Sequence, residues 1–534
     1  MEEVTVSQTE QSAEQEAPRR RGRDARRAVR SAPLAADKRP VNGGEESGRY
    51  RVLTDADILK IHEAVLSLLE NTGLSNAIPS CIEAIEAKGG KLDDRGRLLF
   101  PRSLVEDTIA NARRQFVIHG QDPKHDMEPW GLKTYFGTAG AAVHIADPTT
   151  NEYRESVLMD LYDSARIVDC MDNIHFFQRN LVPRDVPDPL DMDLNTLYAA
   201  LSGTSKHVGS SWTMPEHVEA SLPMLHAIAG SEEKFRERPF VSMSNCFVVP
   251  PMKFAEDACG CLEAAARAGI PILLLAAGQA GATSPASLAG AVVQEVAEVL
   301  AGLVYINAIV PGAVAIYGTW PFVSDLRTGA MSGGSGEQAL LMAACGQMAG
   351  FYNLTGGVTA GMADAKMPDV QAGAEKGYNY ALVANAPGVN MVYESAGMHA
   401  SLLGTCLESL VIDNDTIGAV LRTVRGIEVN DETLSVDVIT DVCVNGPGHF
   451  LGSDQTLSVM QSEYVYPAMF DRFSPKEWAE KGKPNVVAKA TERVHEIQNT
   501  YFPRHISDEV DGVLRGMADI KLERDAMSLA QAAE

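Results

Sequence analysis

Cysteine is scarce in this chain and badly spaced for covalent or metal chemistry. Eight of 534 residues are cysteine, at positions 81, 170, 246, 259, 261, 345, 406 and 443, and none forms a Cys-x-x-Cys pair. Cys259 and Cys261 are two apart, which places them on different faces of a helix. A disulfide framework and a structural zinc site are therefore excluded as expectations, and reduced thiols in a cytoplasmic protein are expected. His144, His175 and His207 have no metal-like spacing to cysteine or aspartate, so no protein-bound metal is expected. Positive charge is also short: 46 Lys and Arg against 71 Asp and Glu leave a net charge of −25. A nucleic-acid partner needs a basic face, so none is expected, and a cationic small molecule is the more natural guest. Long apolar runs are missing. The most apolar region, Ala291 to Tyr317, is interrupted by Glu295 and Glu298, and no signal-peptide core is read near Met1. The expectation is a soluble protein without membrane contact.

What is present follows a rhythm. Residues 1–48 are polar, with a dense arginine cluster from Arg19 to Arg30, and read as a disordered tail. Thr54 and Asp57 mark a helix start, and Ile58, Ile61, Val65, Leu68 and Leu69 recur at helical spacing up to Gly73. With two shorter helices near 81–87 and 103–112, this predicts an N-terminal helical cap over 49–128. From Lys133 onward short apolar strands are predicted at 134–138, 174–180, 207–212, 240–245, 271–276, 314–318, 353–355 and 389–393. Helical segments separate most of them. An open doubly wound sheet has the same local pattern, but eight such units predict a (β/α)8 barrel of the TIM type over 129–427. Helices are predicted at 400–412 and 415–426, followed by a C-terminal helical extension over 428–534. Its aromatic segment Gln461 to Phe473 is expected to pack on the barrel or on a neighbouring subunit.

In such folds chemistry sits at the carboxyl ends of the strands. Those ends carry Phe136, Trp212, Tyr317, Trp320 and Tyr393, with Glu394 and His399 after strand eight and Asp364, Asp369 and Gln371 after strand seven. The chain has only four tryptophans, and two of them are here. Aromatic faces with one or two carboxylates suit a quaternary ammonium, because ring faces attract a cation without needing hydrogen bonds. The same rings would equally fill a barrel mouth as plain core. His399 reads either as a ligand or proton carrier, or as a helix N-terminal residue facing water. Ser332 to Gly336 (SGGSG) lacks the Lys-Ser/Thr of a Walker loop and is no dinucleotide fingerprint; it reads either as a helix start that holds an anion such as a carboxylate on its free N–H groups or, in preference, as a flexible loop.

Four separated stretches go further. SGGSGEQALLMAACGQMAGFYN (332–353), GGVTAGMADAKMPDVQAGAEKG (356–377), NMVYESAGMHASLLGTCLESLVIDND (390–415) and GPGHFLGSDQT (446–456) follow one another in this order. Together they resemble the trimethylamine methyltransferase family, the corrinoid-dependent methylamine methyltransferases and their relatives without pyrrolysine, from about Tyr50 to about Arg515. The resemblance implies a (β/α)8 barrel, a homo-oligomer, and transfer of a methyl group from a methylated amine to cob(I)alamin carried by a separate corrinoid protein. No Asp-x-His-x-x-Gly corrinoid signature occurs here, so the cobalamin is expected on that partner and not on this chain. Archaeal trimethylamine enzymes of the family use pyrrolysine, whereas this chain has only the twenty standard residue types. A quaternary amine is already cationic and releases a neutral amine when it loses a methyl group, so glycine betaine is the expected donor. Trp212, Tyr317, Trp320, Tyr393 and Phe136 are expected as aromatic walls, and Glu394, Asp364 and Asp369 as negative charge. Gln371 or His399 would orient the substrate or its carboxylate. Trimethylamine, carnitine, proline betaine or a sulfonium donor, and a non-catalytic betaine-binding barrel, are the alternatives.

Overall fold

The computed structural model describes residues 39–446 and 448–528. The arginine cluster from Arg19 to Arg30, and most of the expected tail, lie outside the described residues. Eight strands alternate with eight long helices: β1 (Lys133–Phe136), α1 (Leu158–Asp169), β2 (Phe176–Gln178), α2 (Pro189–Gly203), β3 (His207–Ser210), α3 (Pro215–Ala229), β4 (Val241–Met243), α4 (Glu256–Arg267), β5 (Ile272–Ala276), α5 (Leu288–Ile309), β6 (Ala315–Thr319), α6 (Gly336–Tyr352), β7 (Gly356–Thr359), α7 (Val370–Ala384), β8 (Val389–Tyr393) and α8 (Leu407–Arg425). All eight strands run parallel to their neighbours in the order β1-β8-β7-β6-β5-β4-β3-β2. Glu45–Glu46 adds a ninth strand, antiparallel to β1. The sheet curls so far that a single parallel bridge, Gly137 to Phe176, joins the end of β1 to the start of β2. Thr138 Oγ1 donates to Gln178 O across this seam at 2.6 Å. A Cβ on Gly137 would stand 2.2 Å from the Phe176 ring, so glycine is what lets the two strands come this close.

Several elements differ from the sequence expectation, each for a local reason. Strand seven was expected at 353–355, but Asn353 is the left-handed cap of α6 (φ 52°) and the strand begins at Gly356. Asparagine tolerates that conformation and ends helices. The strand's start is glycine because the backbones come close: a Cβ at Gly356 would meet Gly388 O at 2.0 Å. The two helices expected at 400–412 and 415–426 are one, α8, preceded by a small ribbon of Met398–His399 and Gly404–Thr405. Asp415 caps nothing: it accepts the backbone N–H groups of Ala468, Met469 and Phe470 at 3.1, 2.6 and 3.1 Å. Order also begins inside the expected tail, where Ser47 N donates to Leu132 O at 2.9 Å and backbone pairing replaces the missing aliphatic surface.

The chain forms two compact units. One contains 41–429 together with the segment from 466 onward; the other contains, among the described residues, 39–40 and 430–465, with helices Val436–Val444 and Asp454–Val459. The division expected between cap and barrel is not drawn by the contacts, and the expected C-terminal extension is split at 466. Helix α5 explains the first point. Strands β5 and β6 flank one side of it, and helices Asp55–Asn71, Pro79–Glu86 and Arg102–Asn111 all pack on it too. Its 22 residues have the length and composition of a membrane span, and 83% of its most apolar window is buried inside the fold. A helix that is apolar all round is the one that neighbours cover on every side.

Candidate active site

A cavity of about 390 Å³ opens at the carboxyl ends of the strands. Seven of the eight strands reach it. Ala139, Gly140 and Ala141 follow β1, Gln178 and Arg179 end β2, Ser211, Trp212 and Thr213 follow β3, and Ser244, Asn245 and Cys246 follow β4. Leu275 and Ala277 come from β5, Trp320 and Phe322 from the loop after β6, and Glu394 and Leu402 from the loop after β8. A larger hollow of about 670 Å³ lies at the opposite, amino ends, beside Leu132, Thr355 and Gly388. Its Arg114 is already spent on the carbonyls of Ile109, Ala110 and Ala112.

The two tryptophans are locked by their own polar atoms. Trp212 Nε1 donates to Ser221 Oγ on α3 at 2.7 Å. Trp320 Nε1 donates to Gly357 O at 3.2 Å, and its backbone N donates to Glu295 Oε1 on α5 at 3.1 Å. The other Glu295 oxygen takes Gly278 N at 3.0 Å, so one helix carboxyl ties together the loops after β5 and β6. With both indole N–H groups engaged, neither ring has a free donor to offer the cavity.

Glu394 is of another kind. It follows β8 directly, holds a left-handed backbone (φ 52°), and is 2% exposed. Among the described residues its Oε2 is buried without a hydrogen-bond partner. Burial alone pushes its carboxyl up to about 8, since nothing nearby favours the charged form. A non-glycine residue in this conformation costs of order 1–3 kcal/mol, and such strain gathers at functional sites. Gln178, held by a hydrogen bond from its amide to Ser244 Oγ, owes its place to Gly209, where a Cβ would stand 1.6 Å from Gln178 Oε1.

The remaining expected site residues lie elsewhere. Tyr393 is buried beneath the cavity, its ring 5.5 Å from Trp320 and 4.9 Å from Phe176. Tyr317 faces outward onto α6, with its ring 6.0 Å from Tyr352. Phe136 likewise faces α7, 5.9 Å from Tyr380. Strand alternation turns these two away from the interior. Asp369 is the N-cap of α7, accepting from Ala372 N at 2.9 Å, and Gln371 is an exposed first-turn residue bonded to Glu375 at 2.7 Å. Asp364 ties three loops, accepting from Ser332 Oγ at 2.7 Å, Gly334 N at 3.2 Å and Ser401 Oγ. His399 faces neither substrate nor water: it is buried, with Nδ1 at 3.3 Å from Ala365 O and Nε2 at 2.7 Å from Ser409 Oγ. Burial and Lys376 hold its imidazole down at about 3, hence neutral.

The family model described as trimethylamine methyltransferase matches residues 19–526. The chain belongs to the trimethylamine methyltransferase family. It is similar to trimethylamine methyltransferase MttB of Desulfitobacterium hafniense, 31% identical over 467 residues that cover 87% of this chain and 93% of that one. It is similar to glycine betaine methyltransferase of the same species, 30% identical over 475 residues that cover 88% and 97%. The crystal structure of the Methanosarcina barkeri monomethylamine methyltransferase superposes on it with a TM-score of 0.43 at 12% identity, covering 85% of this chain and 95% of that one.

In this member of the trimethylamine methyltransferase family, two features of the site escaped the sequence reading. Glu295 and Glu298 look like mere interruptions of an apolar helix, yet both are buried and work as hydrogen-bond hubs. Burial and mutual repulsion raise Glu295, and burial raises Glu298. Two carboxyls inside the most apolar segment of the chain were the signal that pointed to them. Arg179 left no signal at all, because one arginine after a strand resembles any surface charge.

Proposed function

We propose that the protein moves a methyl group from a quaternary ammonium, foremost glycine betaine, to Co(I) of a corrinoid held by a separate protein, and that its curled sheet is a (β/α)8 barrel built for this. The observation that carries the reading is that two indoles whose N–H groups are taken, Trp212 and Trp320, line the same cavity as a buried carboxyl, Glu394, that has no hydrogen-bond partner for its Oε2 among the described residues. Membership of a methyltransferase family whose relatives include both a trimethylamine and a glycine betaine enzyme supports methyl transfer from methylated amines. The absence of any non-standard residue favours the quaternary donor.

The chemistry asks little covalent work of the protein. The cobalt lone pair attacks a methyl carbon, the C–N bond breaks with its electrons left on nitrogen, and a neutral tertiary amine leaves without needing a proton. The chain's residues hold the donor in line and exclude water. Positive charge on nitrogen fades toward the transition state, so a permanent tight ion pair would stabilise the ground state more and slow the step. Ring faces hold the cation without such a penalty. A carboxyl poised near 8 releases its proton as the cation enters and retakes it as the charge disappears. The partner docks at the cavity mouth; the chain is read as a cytoplasmic homo-oligomer. The test is growth of methyl-Co(III) absorbance with purified protein, a corrinoid protein reduced to Co(I), and a panel of methylated amines. Methylation with glycine betaine and not with trimethylamine is expected. Betaine binding without methyl-Co(III), across several corrinoid partners, would leave a binding protein instead.

A further inference from the structure

Arg179 follows β2 and lines the same cavity as Glu394. Its backbone N donates to Gly209 O at 2.9 Å, and among the described residues its guanidinium has no hydrogen-bond or ion-pair partner. The nearest opposing charge, Asp193, is turned to other tasks. Its Oδ2 accepts from Thr213 N at 2.7 Å, Thr213 Oγ1 at 2.9 Å and His217 Nδ1 at 2.7 Å, while among the described residues its Oδ1 is buried without a partner. A half-buried guanidinium that faces a cavity with its donors free of protein acceptors is open to an oxyanion, and its planar fork matches a carboxylate bidentately. Burial lowers its proton affinity more than the charge of Asp193 restores it, yet an arginine remains charged throughout.

We infer that Arg179 is a carboxylate anchor, so that the cavity takes a zwitterion with its trimethylammonium end toward Glu394, Trp212 and Trp320 and its acid end on the Arg179 guanidinium. This rests on the quaternary-amine reading and adds a specificity-determining residue to it: choline and tetramethylammonium would fill only half the site.

Titration calorimetry on the full-length protein separates the two ends with ligands that carry one pole each. Tetramethylammonium has only the cation, 3,3-dimethylbutyrate only the acid with a carbon in place of nitrogen, and glycine betaine has both. Arg179→Ala is expected to weaken betaine and 3,3-dimethylbutyrate by on the order of ten- to a hundredfold and to leave tetramethylammonium unchanged. Arg179→Lys is expected to regain part of the loss for both acids, a rescue that a merely structural arginine would not show. Equal losses for all three ligands, or no loss for either acid, would overturn the anchor while the quaternary-amine reading stood on wild-type binding of tetramethylammonium and betaine. If wild-type protein bound 3,3-dimethylbutyrate through Arg179 and ignored every ammonium, the anchor would survive and the proposed function would fall.

Discussion

Glu394 makes the pH behaviour of the site predictable from one group. Its carboxyl is neutral below about 8, because burial disfavours the charge. A bound cation favours the ionised form, so binding must release a proton below that value and none well above it. Betaine affinity is therefore expected to rise as the pH climbs toward 8 and to level off beyond. Calorimetry in two buffers of different ionisation enthalpy reads the released proton directly. Glu394→Gln should abolish the release and flatten the profile, with affinity lower on the order of tenfold at the plateau; an unchanged profile in the variant would assign the titration to another group. Gly209 acts through its neighbour. A Cβ there would meet Gln178 Oε1 at 1.6 Å and drive the amide off Ser244 and into the cavity. Gly209→Ala should lose about 1–3 kcal/mol of stability and weaken betaine binding as well. A melt equal to wild type would show that the side chain moves aside freely.

At the scale of elements, buried charges hold the loops that carry the site. Lys376 on α7 and Asp413 on α8 meet at 2.6 Å with side chains 4% and 3% exposed. The same carboxylate accepts Gly397 N at 2.8 Å, which fixes the loop running from Glu394. Removing one partner strands the other charge, so Lys376→Met is expected to cost roughly 3–5 kcal/mol in a denaturant melt, with the larger loss at neutral pH than in acid, where Asp413 is protonated. A loss below 1 kcal/mol would mean that water reaches Asp413. Helix α5 gives the opposite sign. Glu298 has its carboxyl raised above 4.5 by burial, with Oε2 unpartnered and Oε1 accepting Met252 N at 2.6 Å. The folded state thus binds a proton that the unfolded chain gives up. Its stabilising share is complete below the unfolded value and is lost as pH rises through the folded one. Thermal stability should fall with pH above about 5, and Glu298→Gln, which keeps the acceptor for Met252, should reduce that slope. A slope that steepens or stays put in the variant would count against this account.

For the molecule as a whole, the segment beyond 466 is part of the main unit rather than an appendage. Arg166 on α1 is buried against Asp163 and donates to Gln498 O and Tyr501 O at 3.0 Å each, while helix Val486–Thr500 packs on α1 and α8 and buries Ala490, Val494 and Ile497. A chain ending at residue 485 is expected to lose its cooperative melt by circular dichroism and to be cleaved rapidly by protease. A sharp transition retained in that truncation would show the helix to be dispensable.

The sequence by itself determined the alternation of eight strands with helices, most of the strand positions, the family, and the residue types at the cavity. Strand β8 lies where apolar periodicity places it, at Val389–Tyr393. Trp212, Trp320 and Glu394 fall at strand ends, and position along a strand is a local property that side-chain order preserves. Direction is not local in that sense. Whether Tyr317 and Phe136 face the interior or the helices depends on strand register and on the curl of the sheet, which joins residues as distant as Gly137 and Phe176, and as Thr134 and Val389. The polar loop after β7 shows the same limit. Asp364, Asp369, Gln371 and His399 are chemically able residues that the fold spends elsewhere: the two aspartates take backbone N–H groups, Gln371 bonds Glu375, and His399 meets Ala365 O and Ser409 Oγ. Only the tertiary structure decided which charges were left without a side-chain partner among the described residues: Arg179 and Glu394 line one cavity, while Trp212, Trp320 and Gln178 beside them bond to Ser221, Gly357 and Ser244 instead.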